Sequence, residues 1–165
     1  MRGARRFCGG LAALALSILA AGPARAVLCG TELDPLTVTA TDIAFGQYSA
    51  AQPADLTPTG TITLSCEVPA DVAPSFTVSL STGMSGGFMP RQMKMGASTL
   101  DYNISTVAWP TTTVWGDGTG GTVTQTYSEN LLFGSVTFTA YADLPAGQYV
   151  LPGDYGDQIT VTVSY

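Results

Sequence analysis

From Leu36 onward the chain alternates apolar and polar residues with a period of two. Leu36, Val38 and Ala40 alternate with Thr37, Thr39 and Thr41, and Ile62 and Leu64 with Thr61, Thr63 and Ser65. The same beat returns in Phe76, Val78 and Leu80, in Val136, Phe138 and Ala140, and in Ile159, Val161, Val163 and Tyr165. Successive side chains of a strand point to opposite faces, so each run predicts a half-buried strand with Thr on its wetter face. Turn-forming clusters separate the runs: Gln52-Pro53, Pro58-Thr59-Gly60, Val68-Pro69-Ala70-Asp71, Ser85-Gly86-Gly87, Gly116 to Gly121, Pro145-Ala146-Gly147 and Leu151-Pro152-Gly153. Val123 to Tyr127 predicts a further strand after the glycine cluster. No window sustains a capped amphipathic helix. Short strands broken by frequent turns argue for an all-β sandwich.

Ahead of this pattern stands a segment of different character. Arg2, Arg5 and Arg6 precede an apolar run from Leu11 to Ala21, and Ala24-Arg25-Ala26 offers small residues where a signal peptidase reads them. We expect residues 1–26 to be a signal peptide cleaved after Ala26, leaving residues 27–165 as one domain with room for one core. The apolar run of 11 residues falls short of the roughly 20 that span a bilayer, so no membrane insertion is expected after cleavage. Leu28 before Cys29 does not suit a lipoprotein anchor. The expected product is exported and soluble.

Charge then removes several functions. Of six basic residues, only Arg91 and Lys94 lie beyond residue 25, whereas all twelve carboxylates do, so the mature chain carries about −10. Such a surface repels nucleic acid and anionic lipid, whose affinity comes largely from Lys and Arg. The chain has no His, which excludes His-based triads and most catalytic zinc sites. Cys8 leaves with the signal, and Cys29 and Cys66 remain as an even pair in an oxidising compartment, where a structural disulfide is expected. Their separation and the lack of a neighbouring base do not suit a redox pair.

Other candidate chemistry is weak. Gly116-Asp-Gly-Thr-Gly-Gly121 has the letters of a dinucleotide fingerprint, but a strand rather than a helix is expected to follow, which favours a hairpin loop. Met84, Met89, Met93 and Met95 are soft donors without His or free Cys beside them and read as packing residues, so neither metal nor cofactor is expected. Asn103-Ile104-Ser105 is a formal glycosylation acceptor. Asp117, Asp143, Asp154 and Asp157 supply the carboxylates a glycosidase would need, yet acidic turn residues are usually solvated caps, and no enzyme is expected.

Several blocks carry a resemblance. Cys29, Leu36-Thr-Val-Thr-Ala40, Ile43-Ala-Phe-Gly-Gln-Tyr48 and Gly60-Thr-Ile-Thr-Leu-Ser-Cys66 resemble the opening of the spore coat protein U domain. Arg91-Gln-Met93, Leu100-Asp-Tyr-Asn103, Thr113-Val-Trp-Gly-Asp-Gly-Thr119, Leu144-Pro-Ala-Gly-Gln148 and the run from Gly153 to Tyr165 continue it in the same order. The resemblance implies an immunoglobulin-like sandwich lacking its last strand, found in subunits of archaic chaperone-usher pili that serve adhesion and biofilm formation and in some spore coat components. It implies a periplasmic chaperone, an outer-membrane usher and other pilus subunits as partners, with a borrowed strand filling the open groove.

Ile159, Val161, Val163 and Tyr165 are expected to border that groove. A polymerising subunit also needs about ten alternating residues ahead of its first cysteine to donate as a strand. Cleavage after Ala26 leaves only Val27 and Leu28 there, which points to a terminal or minor subunit. Phe88, Trp109 and Trp115 are candidate surface contacts for such a subunit. A stand-alone carbohydrate- or surface-binding sandwich is the rival reading.

Overall fold

The computed structural model describes residues 36–65, 75–128 and 134–164. The expectations for Cys29, Cys66, Tyr165 and cleavage after Ala26 lie outside these residues. The described strands are β1 (Thr37–Ala40), β2 (Thr59–Ser65), β3 (Phe76–Leu80), β4 (Arg91–Met95), β5 (Ser98–Ser105), β6 (Gln125–Tyr127), β7 (Ser135–Asp143) and β8 (Val161–Ser164). They form two sheets, one ordered β1-β2-β7-β5-β4 and one ordered β6-β3-β8, and neighbouring strands run antiparallel.

The period-two pattern becomes the core directly. Ile62 and Leu64 of β2, Phe76, Val78 and Leu80 of β3, and Ala140 of β7 are buried, while the Thr and Ser between them are at least partly exposed. Register follows from that burial, since a slip by one residue turns every buried side chain to water. β2 pairs with β7 from Thr59↔Tyr141 to Ser65↔Ser135, and Thr63 and Thr137 meet through their hydroxyls at 2.9 Å on the outer face.

Trp115 joins the two layers. Its backbone N–H donates to the Ile104 carbonyl of one sheet at 2.9 Å, and its indole N–H donates to the Val78 carbonyl of the other at 3.0 Å. Its ring meets Phe138 edge-on, with centroids 6.3 Å apart.

Three differences from the sequence reading stand out. The β4–β5 hairpin is not among the runs read as strands, although Leu100, Tyr102 and Ile104 alternate with Thr99, Asp101 and Asn103. It closes through Gly96-Ala97, with Gly96 at φ +58°, a conformation favouring glycine. The last strand begins at Val161, two residues after Ile159. β1 is the third difference: all four of its residues are exposed, where half-burial is expected.

Candidate functional site

The exposure of β1 has a structural cause. Val38 and Ala40 stand opposite Leu64 and Ile62, both buried, so they belong to the inner face of the larger sheet. Yet Val38 is 41% exposed, because the three-stranded sheet does not extend across to cover it. β1 ends one sheet and β8 ends the other, and between them opens a groove of about 360 Å³.

Its floor is apolar and comes from both layers: Ile62, Leu80, Met93, Ile104 and Ala140. Ile159 and Val161 form the wall on the β8 side, and both are half-buried. Val163 continues their alternation, half-buried between exposed Thr162 and Ser164. Through β3, β8 is paired on one side only, with Val78↔Val163 and Leu80↔Val161, so its other edge faces the groove without a partner strand among the described residues. The structure thus brings Ile159 and Val161 together at the groove, with Val163 beside them.

The residues that border the groove on its other side were not legible as such. Thr41 still donates its N–H to the Thr61 carbonyl at 3.0 Å, and beyond it the chain runs without a strand partner among the described residues, with Ile43 and Phe45 half-buried and facing the groove. Ile43 fits against Gly60, where a Cβ would stand only 2.6 Å from the Ile43 Cγ1. Phe45 meets the Tyr102 ring edge-on at 5.7 Å. Both lie in the quoted family blocks, the one signal that marked them.

A polar cluster holds the floor beneath. Arg91 is fully buried, and its guanidinium donates to the Ser81 carbonyl from Nε and Nη2 at 3.0 and 2.9 Å, to Asn103 Oδ1 at 3.0 Å and to the Trp115 carbonyl at 2.7 Å. The Phe88 ring lies over it at 5.1 Å. Burial pushes the Arg91 pKa down, and the nearby Tyr102 and Asp157 push it back up. Tyr102 donates its O–H to Asp157 Oδ2 at 2.7 Å, and Asp157 Oδ1 accepts from the N–H groups of Met84 and Gln158, each at 2.7 Å. Burial first, and then the bond to Asp157, raise the Tyr102 pKa far above the usual phenol range. Gly83, at φ +67°, leaves no space for a Cβ beside the Asp157 carboxylate. This cluster anchors the chain just before β8 and so fixes one wall of the groove.

The remaining candidates separate. Trp115 has no solvent exposure at all, which corrects the expectation that it touches an external surface: its ring is the centre of the core. Trp109 is half-buried and donates its indole N–H to the Tyr141 carbonyl at 3.0 Å, and Phe88 is half-buried against Arg91. Met93 packs in the core, but Met84 and Met89 are exposed, which corrects the packing expectation for those two. In the glycine cluster, Asp117 Oδ1 accepts from the Thr119 N–H at 2.9 Å and hydroxyl at 2.6 Å, which lowers its pKa. The cluster is a loop followed by β6, which corrects the hairpin expectation: Trp115 and Val123 on either side of it meet in an isolated parallel bridge. Asn103 is committed to Arg91 and to the Phe88 carbonyl. Asp143 has its pKa raised by burial and then by the charge of Asp55, while Asp157 is saturated with donors.

Two antiparallel sheets packed around a common core define a pilin-like all-β domain. Residues 19–162 match the family model described as Spore Coat Protein U domain, and the chain belongs to that family. The family is one of structural subunits rather than enzymes. Among solved structures, the fold is similar to a chain in the crystal structure of the CsuC-CsuE chaperone-tip adhesion subunit pre-assembly complex from archaic chaperone-usher Csu pili of Acinetobacter baumannii, with a TM-score of 0.54 and 19% identity. That match covers 81% of this chain and 40% of the solved one, so the present chain spans less than half of its length. A second similar chain is the E. coli Hda pilus minor tip subunit, HdaB, with a TM-score of 0.38 and 16% identity, covering 76% of this chain and 78% of that one. No curated protein matches the chain.

Proposed function

We propose that this chain is an exported structural subunit of a chaperone-usher surface fibre or related coat, and that it accepts a β-strand from a periplasmic chaperone or a neighbouring subunit. The observation that carries this reading is the apolar groove between the unpaired edge of β8 and the exposed strand β1. A solvent-facing groove of this kind exposes backbone N–H and C=O groups beside core side chains, an arrangement that invites random pairing until a strand occupies it. An inserted strand bonds to the β8 edge and buries alternate side chains against Ile159, Val161 and the floor. Three or four such side chains contribute roughly 5 to 12 kcal/mol gross, before ordering costs. That suffices for assembly without nucleotide hydrolysis.

Adhesion and biofilm formation belong to this reading through the family and the named fibre subunits. Half-buried Trp109 and Phe88 are the aromatic candidates left for surface contact. The groove-lining role of Ile159, Val161, Val163 and Tyr165, and a disulfide between Cys29 and Cys66, are part of the same proposal. Intact-mass measurement of the exported protein is expected to show no free thiol.

The test is expression in a bacterial periplasm with and without the chaperone of the same assembly system. The chain expressed alone is expected to be degraded or to aggregate, and co-expression is expected to recover it as a one-to-one complex. A stable, cooperatively unfolding monomer recovered without any chaperone would overturn strand acceptance and favour a stand-alone surface-binding sandwich. N-terminal sequencing of the product will place the cleavage site, and a site well before Ala26 would restore residues able to act as a donor strand.

A further inference from the structure

The segment Asp42–Tyr48 joins β1 to the far side of the sandwich without any backbone-to-backbone hydrogen bond among the described residues. It nonetheless alternates like a strand: Ile43 and Phe45 turn inward, and Ala44 and Gly46 outward. Side chains alone hold it. Ile43 sits in the notch left by Gly60 on β2, Phe45 rests on Tyr102 of β5, and the Tyr48 hydroxyl donates to the Pro145 carbonyl at 3.2 Å and accepts from the Gln148 N–H at 2.6 Å. The segment therefore crosses from β2 toward β5 over the inner face of the larger sheet, where Ile43 and Phe45 border the groove.

Backbone groups left unpaired and apolar side chains half in water mark a region of low local stability. Its side chains Ile43 and Phe45 line the groove that an incoming strand would enter. Resting on the strand-accepting reading above, we infer that Asp42–Tyr48 is a self-filling strap: Ile43 and Phe45 cover one end of the groove in the free subunit and must withdraw when a partner strand is seated. The strap shields apolar surface while the groove is empty and competes with the strand that fills it. Because a strand binds only the withdrawn form, the fraction of subunits in that form scales the apparent affinity. Gly46, at φ +75° with open space around it, gives the strap a bending point between Phe45 and Tyr48.

The Gly60 notch supplies a lock. A Cβ at residue 60 would lie 2.6 Å from the Ile43 Cγ1, which places the two β-carbons within the roughly 3.5 to 4.5 Å of a disulfide. The probe is a synthetic nine-residue peptide alternating Val and Thr, with a lysine at each end for solubility, labelled for fluorescence anisotropy against the purified mature chain. The Ile43→Cys/Gly60→Cys variant, once oxidised, is expected to bind the peptide at least about tenfold more weakly than either single cysteine variant. Phe45→Ala is expected to bind it severalfold more tightly and faster than the unaltered chain. Hydrogen exchange at Ile62 and Ile104 checks that each variant keeps its core.

Equal binding by the locked and single-cysteine forms would overturn the strap while leaving strand acceptance intact. Weaker binding by Phe45→Ala would do the same, by making Phe45 a wall for the strand rather than its competitor. Failure of the peptide to bind both the unaltered chain and Phe45→Ala would overturn strand acceptance itself, and the strap with it.

Discussion

At the scale of single residues, the chemistry of this protein is directed inward. Arg91, one of the two cations beyond the N-terminal segment, spends its donors on two carbonyls and an amide oxygen inside the sandwich, and the other, Lys94, donates to the Met84 carbonyl at 2.6 Å. Arg91→Met would leave the Ser81 and Trp115 carbonyls and Asn103 Oδ1 without these donors in a dry core, and each orphaned group costs about 1 to 3 kcal/mol. Urea unfolding of the complexed or strand-filled protein is expected to show a loss of about 3 to 5 kcal/mol, and a loss below about 1 kcal/mol would refute this account.

Tyr102 yields a pH prediction. Its folded pKa is raised above the free value near 10, so above that pH the unfolded chain releases the phenolic proton while the folded one retains it. Its contribution to stability is complete below about pH 10 and is lost as pH rises from there, by up to about 1.4 kcal/mol per pH unit. Tyr102→Phe removes the bond to Asp157 at the cost of about 1 to 3 kcal/mol at pH 7 and is expected to flatten this alkaline decline. An unchanged decline between pH 10 and 11 in that variant would assign the effect elsewhere. None of these roles was legible locally. Arg91 and Asn103 are 12 residues apart and Tyr102 and Asp157 are 55, so the family blocks marked the residues but the pattern of neighbours could not pair them.

At the scale of elements, the period of two carried the strands whose inner face is capped by the opposite sheet. It carried β2, β3 and β7 because threonine marks their wet face plainly. It missed β4, where Arg91 takes a buried inner-face position beside Met93, and β5, where Leu100, Tyr102 and Ile104 alternate but Asp101 and Asn103, engaged along and inside the sheet, stand where threonine marks the other strands. In β1 the pattern was right and the burial was wrong. Val38 has the inner-facing position that alternation assigns it, but no layer of the described residues lies over it, and periodicity reports which face a residue occupies rather than whether that face is covered. Val38→Lys tests this exposure. A charge on an uncovered edge strand is expected to change folding stability by no more than about 0.5 kcal/mol and to slow aggregation of the chaperone-free chain, measured by light scattering. A loss above about 2 kcal/mol would mean that Val38 is packed in the free subunit.

At the scale of the whole molecule, what matters is a boundary between the sheets that the described residues leave uncovered. The sandwich has a packed centre around Trp115, a polar brace from Arg91 to Asp157 and, among the described residues, one long side without a covering strand. Supplying that strand covalently tests the reading without any unknown partner. A fusion of nine alternating Val and Thr residues after Tyr165, joined by a flexible Gly-rich linker long enough to reach the β8 edge, would seat three or four apolar side chains in the groove. They gain roughly 5 to 12 kcal/mol gross, before the cost of ordering the strand. The backbone bonds to β8 add to the favourable side, and the linker removes the concentration penalty that a separate strand meets. A net gain of about 3 kcal/mol would raise the melting temperature by roughly 10 °C in a domain of this size. The fused chain is therefore expected to be monomeric without chaperone, to unfold in one cooperative step, and to protect the amides of Val161 and Val163, which point away from β3, from exchange. A control fusion with charged residues at the inward positions should gain nothing, since a groove floored by Ile62, Met93 and Ile104 offers them no partner. If both fusions melt at the temperature of the parent chain, the groove does not take a strand, and the open side of the sandwich serves some other partner.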